Sequence, residues 1–300
     1  MRLIDDTPAE ERIGDRDLTS WPTRSGRQLA LLALAATRWV SAHTLLVIIA
    51  VAGGILATAM TGVSAEIYDA VEEGDGVTGL DRPALNAAIS LRTPLNEQVA
   101  TWFTDLGGPV GMAVLATVVT ATLALLWRSR TPVVLMVIAV AGSLSMTTVG
   151  KALVGRARPP LADAVPPFES SPSFPSGHSL NSVVIAGLVA YLLVRRQQRK
   201  RTRTLTVALA GLFAVAMGLS RVFLGHHWLT DVLVAWTLGL AWLAVVITAH
   251  RLFLTVRRAG ATADAGAPVD AAVPGDVPPT GAAPPTGEVP AAPDVTAYRD

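Results

Sequence analysis

A series of long uncharged segments constrains the fold of this chain more than any other feature. A helix needs about 20 consecutive apolar residues to cross the hydrocarbon core of a bilayer. The chain has runs near that length at 44–63, 110–127, 132–150, 179–194, 204–219 and 232–250, although the fifth is short unless it extends to Phe223. The composition agrees, with 51% hydrophobic and only 16% charged residues. The sequence therefore predicts an all-α fold, a six-helix transmembrane bundle with irregular extracytoplasmic loops.

The two ends of the chain differ from its apolar middle. Residues 1–28 are charged and without periodicity, which favours a flexible tail, and from Ala259 onward the chain is rich in Ala, Pro and Gly, which favours disorder. We predict a cytoplasmic N-terminal tail and juxtamembrane segment at 1–40, a six-span domain at 41–255 and a disordered Pro/Ala-rich cytoplasmic tail at 256–300. The chain has no cysteine, which excludes disulfides and thiolate metal sites.

The distribution of arginine predicts the orientation in the membrane. Basic residues cluster in the connectors at 128–130 and 195–203 and after the last run at 251–258, whereas the loop at 66–107 is mainly acidic. Cytoplasmic loops carry an excess of Lys and Arg. We therefore expect an integral protein of the plasma (inner) membrane, with both termini in the cytoplasm.

Apolar residues also recur at helical spacing within the acidic loop, at Leu95, Val99, Trp102, Phe103 and Leu106. Such a pattern indicates an amphipathic helix lying on the membrane surface. A helix that caps the bundle would show the same pattern, and the sequence leaves both interpretations open.

Polar clusters stand out at the predicted outer ends of the helices and suit a phosphate group. Lys151, Arg158 and Arg221 can neutralise phosphoryl oxygens. Ser176 and Gly177 open an apolar run, so their amides should lie at a helix N-terminus, where backbone donors favour an anion. We interpret all five as phosphate-binding residues.

Three of the histidines lie within the same clusters. His227 and Asp231 are four residues apart and should share one helix face, so that Asp231 orients His227 for nucleophilic attack. His178 can then protonate the leaving oxygen. His226 and Asp231 also fit the H-x4-D pattern of membrane acyltransferases, and a metal site from these side chains is possible by ligand type. Arg156 is interpreted as an interfacial anchor to lipid headgroups.

The three clusters have the spacing K-x6-RP, PSGH and SR-x5-H-x3-D, in that order. This pattern resembles the three-part signature of the type-2 phosphatidic acid phosphatase superfamily, which also includes vanadium haloperoxidases. The resemblance covers roughly residues 40 to 255. The resemblance implies a metal-independent phosphatase that needs no cofactor and forms a phosphohistidine intermediate. The residues alone indicate only an anion site with two histidines that could take part in catalysis.

These observations predict an integral membrane phosphatase that hydrolyses a lipid phosphate or diphosphate on the extracytoplasmic face. Phosphatidic acid, phosphatidylglycerol phosphate and polyprenyl diphosphates carry the group that the site would bind. The predicted catalytic residues are His227, His178 and Asp231, with the membrane lipid phosphate as the partner and no nucleic acid or metal. The alternatives are an acyltransferase that uses His226 and Asp231, or a non-enzymatic binder or transporter of lipid phosphates.

Overall fold

The fold is almost entirely helical. The computed structural model describes residues 11–13, 16–37, 39–41, 44, 46–49, 51–55 and 77–266. A short antiparallel pair, β1 (Arg12–Ile13) and β2 (Arg16–Asp17), precedes the helices α1 (Arg24–Ala36), α2 (Asp81–Ser90), α3 (Pro94–Asp105), α4 (Pro109–Trp127), α5 (Thr131–Val154), α6 (Gly177–Arg196), α7 (Lys200–Phe223) and α8 (Leu229–Gly266). Short 3-10 turns lie at Val77–Leu80 and Leu161–Asp163.

Five helices in the described part of the chain, α4 to α8, are long and apolar enough to cross a membrane. The all-α membrane fold is thus confirmed, and the fifth apolar run does extend to Phe223. The count of six is not matched by the described residues. The first predicted span, 44–63, lies partly outside them, and its described part belongs to a shorter apolar helix, Leu46–Ile55.

Helix α6 lies at the centre of the bundle and packs against α5, α7 and α8. Its Leu180, Leu188 and Leu192 are almost completely buried. In the same core, Trp242 of α8 lies directly over Gly142 of α5, where a Cβ atom would come within 2.2 Å of the indole ring. The small residue lets the two helices approach closely, as is common between membrane helices.

The connections alternate between the two ends of the bundle. The turn at 128–130 and the segment at 197–199 close one end, whereas the long loop between α5 and α6 and the turn between α7 and α8 lie at the other. That long loop is irregular apart from one 3-10 turn, as its prolines predict. The C-terminal ends of α5 and α7 and the N-terminal ends of α6 and α8 therefore meet at one end of the bundle.

The N-terminal segment is packed against α8, and the expectation of a flexible tail at 1–28 is wrong for its described part. Arg251 donates hydrogen bonds to the carbonyls of Leu18 and Ser20, each at 2.8 Å, and its guanidinium lies 4.3 Å from the Trp21 ring centroid. Arg258 pairs with Asp17 at 2.7 Å. One of the charges that suggested a solvated tail, Asp17, therefore pairs with an arginine on α8. Residues 1–10 lie outside the described part.

At the other terminus, α8 continues to Gly266, beyond the predicted start of disorder at Ala259. Residues 257–266 contain several alanines and no proline, and alanine is the best helix former. The Pro-rich sequence begins only at Pro268. The predicted disorder of residues 267–300 falls outside the described part of the chain.

Helix α3 is the helix predicted within the acidic loop. It begins with a capping box of Thr93 and Asn96. Phe103 on one face packs edge-to-face against Phe213 of α7, with ring centroids 5.9 Å apart. Trp102 on another face is 66% exposed. The helix therefore caps the bundle and also presents an apolar surface outward, so the position on the membrane surface stays a prediction.

Candidate active site

A cavity of ≈ 540 Å³ lies where the ends of α5, α6 and α7 meet the long loop. Its walls include Lys151, Gly177, His178, Arg221 and His227, five of the eight predicted site residues. A second cavity of ≈ 440 Å³ adjoins it across the loop and is lined by Arg158. Tertiary packing thus brings together three sequence clusters that span about 80 residues.

His227 is held with one ring nitrogen toward a carboxylate and the other toward a cation. Its Nδ1 lies 3.5 Å from Asp231 Oδ2, and its Nε2 lies 3.1 Å from an Nη of Arg158. A guanidinium can only donate, so Nε2 must be the ring atom with the free electron pair and Nδ1 must carry the proton. Burial lowers the pKa of His227 to about 4, against the opposing effect of Asp231. The imidazole is therefore neutral at neutral pH.

The predicted contact between His227 and Asp231 is present, but not for the expected reason. Helix α8 begins at Leu229, so His227 precedes it rather than sharing its face. Gly225 at φ +70° makes the turn that brings His227 back to the helix, and a Cβ atom there would lie 2.3 Å from the Asp163 carbonyl oxygen. Only glycine fits this position readily.

Asp231 is completely buried and accepts hydrogen bonds from several directions. Oδ2 accepts from the Ser173 hydroxyl and from the Trp228 amide, the latter at 3.0 Å. Oδ1 accepts from Arg156 at 2.6 Å. These donors hold the carboxylate in a single orientation behind the His227 ring.

Arg156 therefore does not serve as the interfacial anchor that we expected. Its side chain is only 11% exposed, and its second Nη pairs with Asp81 of α2 at 2.7 Å. Asp81 also accepts from the Thr230 amide at 2.8 Å and from the Thr230 hydroxyl at 2.7 Å. Arg156 thus links Asp231 to the carboxylate of Asp81, which lies seventy-five residues before Arg156 in the sequence.

The three predicted cations lie at the two adjoining cavities, Lys151 and Arg221 at the first and Arg158 at the second. Arg158 is anchored by the carbonyls of Ser171 and His226, at 2.7 and 2.6 Å. Arg221 is 1% exposed and donates to Thr104 at 3.0 Å, while its Nε has no hydrogen-bond partner in the described residues. Lys151 donates to Ser171 and to the Pro172 carbonyl. Three cations brought together at adjoining cavities suit an anionic ligand.

Glu169 is a fourth charged group of the site, and the sequence analysis missed it. Its Oε2 pairs with Arg158 at 2.6 Å and its Oε1 pairs with Arg221. Burial would raise the pKa of this carboxyl, but the charges of Arg221 and Arg158 outweigh it and hold the pKa at about 2. Glu169 is thus an anion bound between two of the predicted phosphate ligands.

The N-terminus of α6 faces the same cavity. The Ser176 hydroxyl caps the helix by accepting from the Ser179 amide, and the Ser176 amide donates to the Asp231 carbonyl at 3.3 Å. Within the described residues, the amides of Gly177 and His178 have no acceptor. Ser176 therefore caps the helix. The amides that can still bind an anion are those of Gly177 and His178, whereas the sequence predicted those of Ser176 and Gly177.

His178 and His226 differ in how they are held. The His178 imidazole makes no hydrogen bond to any described residue and lines the cavity. The His226 ring shares a hydrogen bond of 2.7 Å with the Val165 carbonyl, and burial lowers its pKa. It makes no described contact with Asp231, so the geometry gives no support to the acyltransferase alternative. In the described part of the chain, no three His, Asp or Glu side chains are grouped to hold a metal ion.

Comparisons with known proteins agree with this arrangement. The family model of the PAP2 superfamily matches residues 132–253. Phosphatidylglycerophosphatase B of Bacillus subtilis (strain 168) is 34% identical over 167 residues, which cover 55% of this chain and 81% of that protein. The crystal structure of a transmembrane PAP2-type phosphatidylglycerolphosphate phosphatase from Bacillus subtilis superposes with a TM-score of 0.56 at 29% identity, covering 63% of this chain and 93% of that one.

The chain shares this identity with a relative over most of that relative's length, its apolar helices are long enough to span a membrane, and its three clusters meet in one cavity. It therefore belongs to the PAP2 superfamily and is a membrane-embedded lipid phosphatase.

Proposed function

We propose that the protein removes the terminal phosphate of a lipid phosphate or diphosphate through a phosphohistidine on His227. One observation carries the proposal. His227, neutral and oriented by Asp231, lines a cavity whose walls supply cations and unpartnered helix amides, and its Nε2 lies beside Arg158. The names of the relatives make phosphatidylglycerophosphate the first substrate to test.

In the first step, Nε2 of His227 forms a bond to phosphorus while the bond from phosphorus to the lipid oxygen breaks. His178 donates a proton to that oxygen, and Asp231 stabilises the charge that develops on the His227 ring. Lys151, Arg158 and Arg221 neutralise the equatorial oxygens, where charge is largest in the transition state. The lipid alcohol then leaves with the proton from His178.

In the second step, water attacks the phosphorus of phosphohistidine 227. His178, now neutral, takes a proton from the water, and the bond from phosphorus to Nε2 breaks. Inorganic phosphate and the neutral imidazole are released. The amides of Gly177 and His178 serve both steps, because a helix N-terminus favours an anion throughout.

A lipid substrate is supported by the surroundings of the site. An apolar cavity of ≈ 600 Å³ lies between α4, α5 and α6 and shares Pro109, Leu144 and Asn181 with the wall of the site cavity. Its size and apolar lining suit part of an acyl chain. The arginine pattern supports an extracytoplasmic position for this end of the bundle, where headgroups of the outer leaflet would meet it.

The test is release of inorganic phosphate by the purified protein from phosphatidylglycerophosphate, phosphatidic acid and a polyprenyl diphosphate in matched detergent micelles. We expect turnover of at least one of them, and equal rates with and without EDTA. His227→Ala should abolish it. The absence of turnover on all three lipids, or activity that chelation removes and zinc or magnesium restores, would contradict the proposal.

A further inference from the structure

We infer that Glu169 competes with substrate phosphate for Arg158 and Arg221, and so sets the affinity of the site for phosphate and the ease of its release. The inference rests on the proposed function, because it takes these arginines as phosphate ligands. It concerns a residue outside the three sequence clusters, in the loop between α5 and α6.

The geometry supports competition because a carboxylate and a phosphate present oxygens to arginine in the same way. The two oxygens of Glu169 each bind a different guanidinium, Oε2 that of Arg158 at 2.6 Å and Oε1 that of Arg221. Two oxygens of a phosphate would need the same donors. Both anions cannot occupy them together, since two negative charges would then share one pair of cations.

Both arginines are also held by neutral partners. Arg158 donates to the carbonyls of Ser171 and His226, and Arg221 donates to the Thr104 hydroxyl. The guanidinium groups would therefore keep their places if Glu169 moved away. Glu169 is therefore not needed to hold the two arginines in place, and its carboxylate can act as a competitor of phosphate.

Phosphate can displace the carboxylate because it gains partners that Glu169 does not have. In the described residues, Glu169 makes no hydrogen bond with Lys151 or with the amides of Gly177 and His178, although all of them line the same cavity. A phosphate dianion also carries a second negative charge. The Glu169 side chain is 30% exposed at the cavity wall, so it has a route outward.

Competition also has a consequence for the end of the reaction. Inorganic phosphate bound by several cations would leave slowly, and a tethered carboxylate that takes back Arg158 and Arg221 would help to expel it. An internal competitor reduces the apparent affinity for phosphate to the intrinsic affinity multiplied by the fraction of time that the site is free. If Glu169 holds the arginines for 90–99% of the time, removing its charge should strengthen phosphate binding roughly 10–100-fold.

The experiment measures binding of radiolabelled inorganic phosphate to the full-length protein in detergent, for the wild type and Glu169→Gln. We expect a dissociation constant lower by roughly 10–100-fold in Glu169→Gln. Asp163→Asn is the matched control. It removes the same charge from the same loop, where Asp163 pairs with Arg82 at 2.7 Å, and it should leave the constant unchanged.

Unchanged or weaker phosphate binding in Glu169→Gln would overturn the inference, because Glu169 would then only position the arginines. An equal gain in Asp163→Asn would overturn it too, as an effect of net charge. If Glu169→Gln does not fold, Glu169→Asp provides the test: its shorter side chain keeps the charge but cannot reach both guanidinium groups, so phosphate should bind several-fold more tightly, and no gain would refute the idea.

The readout separates this inference from the proposed function. Binding of inorganic phosphate needs no turnover, so it can be measured even if no lipid of the panel is hydrolysed. Where turnover is found, Glu169→Gln should lower KM and the inhibition constant of phosphate together. A purely structural role would instead lower kcat and the melting temperature without tighter phosphate binding.

Discussion

Replacing Arg156 with glutamine should remove the charge that two buried carboxylates share. The Arg156 side chain lies between Asp231 Oδ1 at 2.6 Å and Asp81 Oδ2 at 2.7 Å, and the side chains of these two acids are 0% and 6% exposed. Glutamine is shorter and uncharged, so both acids would be left without a compensating charge. Breaking a buried ion pair in this way typically costs about 3–5 kcal/mol.

That loss can be measured as a shift in melting temperature. For a chain of this size, 1 kcal/mol corresponds to roughly 2–4 °C, so we expect Arg156→Gln to melt roughly 6–20 °C below the wild type in the same detergent. Activity should fall through kcat more than through KM, because Asp231 stabilises charge that develops on His227 in the transition state.

Two further variants test the reasoning. Arg156→Gln combined with Asp81→Asn should recover part of the stability, because one of the uncompensated charges is removed. Arg82→Gln is the exposed control: its side chain is 56% exposed, so loss of its pair with Asp163 should cost at most about 1 kcal/mol. A wild-type melting temperature and kcat for Arg156→Gln would refute the view that Arg156 anchors Asp231.

Three other predictions follow from the site and the topology. His227→Ala should abolish turnover and any acid-labile phosphoenzyme, whereas His226→Ala should keep substantial activity; the reverse order, with dependence on acyl-CoA, would favour an acyltransferase. Burial lowers the pKa of His227 to about 4, so its ring stays neutral down to that pH and kcat/KM should fall on the acid side only near pH 4. A fall near pH 6.5 would show that the His227 ring is not desolvated as described. In this cysteine-free chain, Ser90→Cys should react with a membrane-impermeant maleimide in intact cells and Gln198→Cys should not; the opposite labelling would place the site in the cytoplasm.

The apolar runs and the polar clusters were enough to predict the membrane fold class and to single out five residues that line the site cavity. Apolar runs of spanning length can satisfy their backbone hydrogen bonds in a bilayer only as helices or closed barrels, and their length here predicts helices. Lys151, Arg158, Arg221 and His227 could be found because charged residues among apolar ones are costly without a function. Their roles in catalysis stay predictions, as does the orientation in the membrane.

The neighbours of those side chains could not be predicted and are seen only in the folded chain. Asp81 approaches Arg156 across seventy-five residues, and no local pattern marks such a contact. Glu169 and Ser173 lie in an irregular loop, where neither helical nor strand periodicity tells which side chains face the site. The end of α8 and the packed N-terminal segment were missed for a related reason. Charged and Ala-rich sequences are both compatible with a solvated tail. The N-terminal segment is held by Arg251 of α8, more than 200 residues away.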